Sequence, residues 1–240
     1  MTNKNNKIDL SFTLLPHPYL DDVYHMRFQN QYAICSTLIR IQEFYESPDT
    51  QIKNNVASLI DIMDSYAKRN NKFDYLEQWN AFNIPGSIIR KFFVLNKSLT
   101  KREQLFKDAL NKINPQLLNS KNEFYVIATY KCKDEKSDFN HETAHALFCL
   151  DINYRKEMIE HVSKCSNFKL LKRYLLKYGY EPCVINDEIQ AYLGTSSMLY
   201  LKNEFHIRKP EVVSSPFRKT FNRYRRQYVK QKRLDNKKSL

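Results

Sequence analysis

The 240 residues predict an α+β domain that is mostly helical, with a short sheet and a basic C-terminal helix. Three observations carry that prediction. Apolar residues recur at helical spacing through most of the chain, and one β-branched and aromatic run, EFYVIATY at Glu123–Tyr130, reads as a strand. The cationic last segment repeats aromatics on one helical face. The length fits one domain, and 42% hydrophobic with 13% aromatic residues is enough to build a core. No run reaches the 18 or so apolar residues of a membrane span, and MTNKNNKIDL has no signal-like apolar centre. The expectation is a soluble, cytoplasmic protein, or one in a host cytosol if it is a secreted effector.

In chain order, polar residues 1–7 are expected to be disordered. Val23, Met26, Tyr32, Ile34, Leu38, Ile41 and Phe44, lying between Pro18 and Pro48, read as helical, as does Val56 to Tyr66. A short helix over Tyr75 to Ala81 is expected to break at NIPG, Asn83 to Gly86. Thr100 and Glu103 form a capping box, in which hydroxyl and carboxylate satisfy unpaired first-turn amides, for a helix running to Ile113 and stopped by Pro115. After the EFYVIATY strand and a second helix come a helical hairpin, Tyr154–Lys164 and Phe168–Tyr178, ended by Gly179, and a helix from Ile185 that carries Ala191, Tyr192 and Met198.

Charge is concentrated rather than spread. Of the net +13, residues Pro216 to Leu240 supply ten Lys or Arg against Asp235 alone, leaving +4 for the rest. Phe217, Phe221, Tyr224 and Tyr228 fall at i, i+4, i+7 and i+11, the spacing of a face packed on a body. The other reading gives this segment to an anionic partner, nucleic acid or an anionic membrane surface.

Some chemistry is excluded. Three glycines, Gly86, Gly179 and Gly194, leave no glycine-rich phosphate loop or dinucleotide fingerprint. Five scattered cysteines without a CxxC pair indicate neither a disulfide framework nor a cysteine zinc finger, which fits a reducing compartment.

The most informative segment is HETAHALF, His141 to Phe148. Histidines at i and i+4 of a helix share a face, close enough for both to reach one Zn²⁺ at about 2.0–2.1 Å, with Glu142 beside them to act on a water. Thr143, Ala144, Ala146 and Leu147 are uncharged, as a helix beneath a cleft requires. A catalytic zinc takes a third protein ligand. The metzincin continuation is absent, because Phe148 and Asp151 occupy its positions, and His161 lies among surface-like neighbours. Glu188 in INDEIQAYL is the better candidate, 43 residues beyond His145 and within reach through the intervening hairpin. Asp187 is the replacement ligand, or else a helix cap or an outer acceptor for a ligand imidazole.

With HETAH and DEIQAY in place, the chain resembles the zincin metallopeptidases of the gluzincin type over about Glu123 to Leu201. Asp138, three positions before the first histidine, departs from the aliphatic residue or Thr common there. The resemblance implies one Zn²⁺ per chain on His141, His145 and Glu188, and Glu142 as general base. It also implies a protein or peptide substrate pairing along an edge strand, for which EFYVIATY is the expectation. Tyr192 is the first choice for an oxyanion donor, with Tyr180 and Tyr154 behind it. The chain would then divide into a zincin-like catalytic domain at 8–215, with a helical part at 8–115 and a metal-site part at 116–215, and the basic helix at 216–240. Zinc-dependent hydrolysis of a restricted protein target is the function implied. The alternative is a nucleic-acid-binding protein that uses its tail, with HETAH structural or inactive.

Overall fold

Four short segments build the sheet on which both halves of the chain pack, and its interior strand Tyr125–Tyr130 is buried on both faces. The computed structural model describes residues 10 to 238; residues 1–7, expected to be disordered, lie outside the described residues. Strands β1 (Phe12–Pro16), β2 (Val23–Phe28), β3 (Ala81–Pro85) and β4 (Tyr125–Tyr130) are ordered β1-β2-β4-β3. β2 and β4 are parallel, with Val23 opposite Tyr125; β1 and β3 run antiparallel to their neighbours. Successive strand residues face opposite sides. Met26, Phe28, Phe82, Ile84, Val126 and Ala128 therefore enter one core, while Val23, Tyr125 and Ile127 enter a second.

The first core is closed by α1 (Gln31–Glu46), α2 (Leu59–Asn70), α3 (Tyr75–Gln78), α4 (Gly86–Leu95) and α5 (Lys101–Ile113). The second lies among α6 (Glu135–Leu150), α7 (Ile152–Ser163), α8 (Phe168–Lys177), α9 (Ile185–Thr195), α10 (Met198–Glu204) and α11 (Pro210–Lys238). The fold is thus predominantly helical with a small open sheet and a long basic last helix. Among the described residues no helix is long and apolar enough to cross a membrane.

Several local signals act as read. Thr100 and Glu103 form the capping box of α5, and Gly179 leaves α8 at φ +95°, with its N–H donating to the Leu176 carbonyl. Phe217, Phe221 and Tyr224 are buried, so the aromatic stripe of α11 is core.

Other boundaries shift for identifiable reasons. Val23 and Met26 belong to β2, not a helix: a spacing of three puts strand residues on opposite faces, and these two enter different cores. NIPG is no break either, because Phe82 and Ile84 alternate into the first core as β3, and α4 starts at Gly86. At Gly86 the ring of Phe124 lies 2.2 Å from where a Cβ would sit, so no larger residue fits. A Ser58–Asp61 capping box moves α2 to Leu59–Asn70. Ser196 is extended and Ser197 caps a new helix, which places Met198 on α10 rather than α9. α11 begins at Pro210, a residue whose missing N–H costs nothing at a helix start. It runs through Pro216, which forgoes only a bond to the carbonyl of exposed Val212.

One buried ion pair ties α1 to α5. Arg40 Nη1 reaches both Glu103 oxygens at 2.9 and 3.1 Å, and its Nε donates to the Ala57 carbonyl at 3.0 Å. Desolvation offsets most of the attraction in such pairs, so its effect is to fix the mutual position of the helices.

Two imidazoles flank Phe139 where α6 meets the sheet. His17 Nδ1 accepts the amides of Leu20 at 3.1 Å and Tyr19 at 3.4 Å, which places its proton on Nε2, 3.2 Å from Thr143 Oγ1. Its ring stacks on Phe139, and His25, bonded to Thr129 Oγ1 at 2.8 Å, packs on the same ring. Burial, reinforced by the neighbouring His25, pushes His17 down to about 3; burial pushes His25 down to about 4 against the pull of Glu135. Both are therefore neutral when folded and titrate near 6.5 when unfolded. Their stabilisation is complete above that value and is lost as pH falls below it, by about 2 kcal/mol per imidazole at pH 5. Thermal unfolding should show Tm falling steeply between pH 7 and pH 5. His17→Asn, which keeps an acceptor for the two amides, should lower Tm at pH 7 but flatten that decline; an unchanged slope would contradict the assignment.

Candidate metal centre

α6 carries the HETAH residues on a helix wedged between the sheet and α9, so Glu142, Thr143, Ala144, His145, Ala146 and Leu147 are all buried. The i, i+4 spacing brings His141 Nε2 and His145 Nε2 to 3.2 Å. α9 supplies Glu188, whose oxygens lie 3.8 Å from His141 Nε2 and 3.7 Å from His145 Nε2. Donor atoms at a tetrahedral zinc with bonds of 2.0–2.1 Å stand about 3.3 Å apart. The three residues form a metal-binding group among the described residues. This is an HExxH arrangement of the gluzincin type, the zinc-binding triad of a metalloenzyme active site.

The surroundings fit a cation independently of that geometry. Glu188 Oε2 is buried without a hydrogen-bond partner. Burial pushes Glu188 up to about 8 and Glu142 up to about 7, with His145 pulling both down, and burial pushes Glu46 of α1 up to about 7 within the field of the same groups. So many carboxylates crowded out of water are stabilised by positive charge. At His145 burial disfavours the cation, yet Asp187 and Glu188 outweigh it and hold its pKa well above the usual value.

Asp187 is an outer acceptor, not a ligand. His145 Nδ1 donates to its Oδ1 at 2.9 Å, leaving Nε2 as the free donor atom of the ring. The same oxygen accepts Gln190 Nε2 at 2.9 Å, and Gln190 Oε1 accepts the Tyr154 hydroxyl at 2.8 Å. Tyr154, fully buried, is thereby committed to this chain of bonds. On the other imidazole, Thr195 Oγ1 faces His141 Nδ1 at 3.5 Å.

Glu142 is held from the sheet by Asn83. Its Oε2 accepts Asn83 Nδ2 at 2.6 Å, and Asn83 Oδ1 accepts the Tyr125 hydroxyl at 2.6 Å. Tyr192 lies against His141 with ring centres 4.6 Å apart, and its hydroxyl pairs with that of Tyr180 at 3.1 Å. His161 is elsewhere, bonded to Thr220 and packed on Phe217.

The sequence reading missed Asn83, Tyr125, Gln190, Thr195 and Glu46. The alternation of Phe82 and Ile84 around Asn83 was a usable signal, since it turns Asn83 toward α6; nothing local marks the others. The expected role of EFYVIATY as an edge is also corrected. β4 is interior, paired on both sides by β2 and β3, and the strand with an open side next to α6 is β3.

Comparison with protein-family models, curated proteins and solved structures finds no match for this chain. The assignment rests on the residues of the site themselves.

Purified protein should hold about one zinc per chain by elemental mass spectrometry. His141→Ala and Glu188→Ala should lose it, and Asp187→Asn should weaken zinc about 10- to 100-fold in a chelator competition. Full retention by Glu188→Ala would remove the third ligand from this account.

Proposed function

We propose that the chain is a zinc-dependent metallopeptidase that hydrolyses peptide bonds in a restricted protein target. The observation that carries this reading is the division of labour on α6. His141 and His145 converge with Glu188, while Glu142, between them in sequence, stays outside that group and is held by Asn83. A HETAH segment kept only for packing would have no use for the unpartnered Glu188 Oε2.

A zinc ion bound by the triad supplies a Lewis acid and brings the pKa of its water to about 7. The protein's part is proton handling and alignment. Glu142, with Oε2 occupied by Asn83, has Oε1 for the attacking water; it takes that proton as the oxygen adds to the carbonyl carbon and gives it to the amine as the C–N bond breaks. In the Tyr180–Tyr192 pair one hydroxyl spends its proton on the other, so one O–H remains to donate to the developing oxyanion. Tyr192 is the first choice because of its place beside His141. An extended peptide would pair along the open side of β3, which brings it past Asn83 and Glu142.

Glu142→Gln should keep its zinc and lose about 10²- to 10⁴-fold in turnover, measured by mass spectrometry of new peptide termini in a digest of mixed proteins. New termini that persist undiminished in the variant would end this assignment.

Asn83 and Tyr125 generate a second test. An ionised Glu142 can only accept, which turns the Asn83 NH₂ toward it, and buried Tyr125 holds that orientation by donating its O–H to the amide oxygen. Asn83→Ala should lower kcat about tenfold or more, with KM and zinc content little changed. Tyr125→Phe should cost about threefold, and the double variant should match Asn83→Ala alone, because Tyr125 acts through Asn83. Additive losses would show that the two act separately.

A further inference from the structure

We propose that the solvent side of α11 is a docking surface for double-stranded nucleic acid, held through its phosphates and without sequence preference. This goes beyond the peptidase reading and does not depend on it. Lys219, Arg226, Lys230, Arg233 and Lys237 are all exposed. At 3.6 residues per turn they fall within about 60° of arc along about 27 Å of helix, and no acidic residue shares that arc. Among the described residues none of the five makes a hydrogen bond or an ion pair. Other cations of the same helix are committed elsewhere: Arg218 to the Ser196 carbonyl, Arg223 to Glu157 and Lys232 to Asp21. The helix thus separates cations that fix it to the body from a row that the body does not use.

The occupant follows from what the opposite face is doing. A basic amphipathic helix binds a membrane by burying its apolar side among the lipids. Here Phe217, Phe221 and Tyr224 are inside the protein, and the Tyr228 hydroxyl donates to Asp151 at 2.8 Å. Single strands are held by stacking bases on aromatic rings, and the cationic arc carries none. What remains is a straight row of charge, matched to a duplex backbone that presents phosphates at regular intervals. The row offers only the charged ends of Lys and Arg, strung along one face at intervals that phosphates can meet, so contact is assigned to the backbone.

The test is a fluorescence-anisotropy titration of a DNA duplex of arbitrary sequence, about twice as long as the roughly eight base pairs that the row can span. The same oligonucleotide as a single strand and vesicles of phosphatidylcholine with phosphatidylserine are titrated in parallel. The full chain should prefer the duplex, and affinity should fall a few hundred-fold, about, between 50 and 200 mM salt, as five phosphate contacts require. Deleting the helix is unsuitable because it removes buried Phe217 and Phe221. The decisive variant changes the five cations to Gln, compared with a chain in which exposed Lys101, Lys112, Lys121, Lys133 and Lys136 are changed to Gln, giving the same net charge. The first should lose duplex binding with its circular dichroism and Tm retained, and the second should bind within about threefold of the unaltered chain. Should the five-fold variant not fold, Lys230→Glu with Arg233→Glu takes its place, with the same loss expected. Equal losses in both Gln variants, tighter binding to the single strand or to vesicles, or no binding to duplex would each overturn the proposal.

Discussion

Two imidazoles on α6 and a carboxylate on α9 must meet within about 4 Å, the span set by zinc bond lengths, and the rest of the architecture serves that constraint. α6 has to lie flat on the sheet so that its site-bearing turn is buried yet reaches the neighbouring helix. α9 must then run beside it, which the α7–α8 hairpin and the stop at Gly179 arrange by returning the chain to that position. The Asp187–His145 bond, extended through Gln190 to Tyr154, crosses the α6–α9 seam inside the core. It fixes the orientation of one ligand ring and the spacing of the helices at once.

Much of the site was legible because its geometry is local. HETAH needs only the pitch of one helix to place both imidazoles and the glutamate between them. Glu188 needed one more argument, that a catalytic zinc requires a third ligand and that a hairpin of helices can deliver it. The capping box at Thr100 and Glu103 and the left-handed glycine at 179 worked for the same reason: each satisfies backbone groups within a few residues of itself.

What stayed hidden depends on pairing between distant segments. β2 and β3 have six and five residues, too few periods to separate a strand from a helical turn. Val23 and Met26 fit a helix until it is known that the sheet has a core on each face. Asn83 meets Glu142 only because β3 pairs with β4 in one register, Asn83 opposite Ile127, and the intervening chain says nothing about that register. Glu46, the last residue of α1, comes within the field of His145 and Glu142 only through the tertiary fold, which composition does not encode.

The place of α11 in the chain gives the order of assembly a direction. The first core draws on residues up to Ala128, so a nascent chain can close it early. The second needs Phe217, Phe221 and Tyr224 against α7 and α9, although His141, His145 and Glu188 are all made sooner. A growing polypeptide therefore carries its ligands for some time before the helix that seals their surroundings has left the ribosome. The metal-binding half completes its core only after α11 arrives, so the three ligands are brought into their buried setting late in synthesis rather than as they are made.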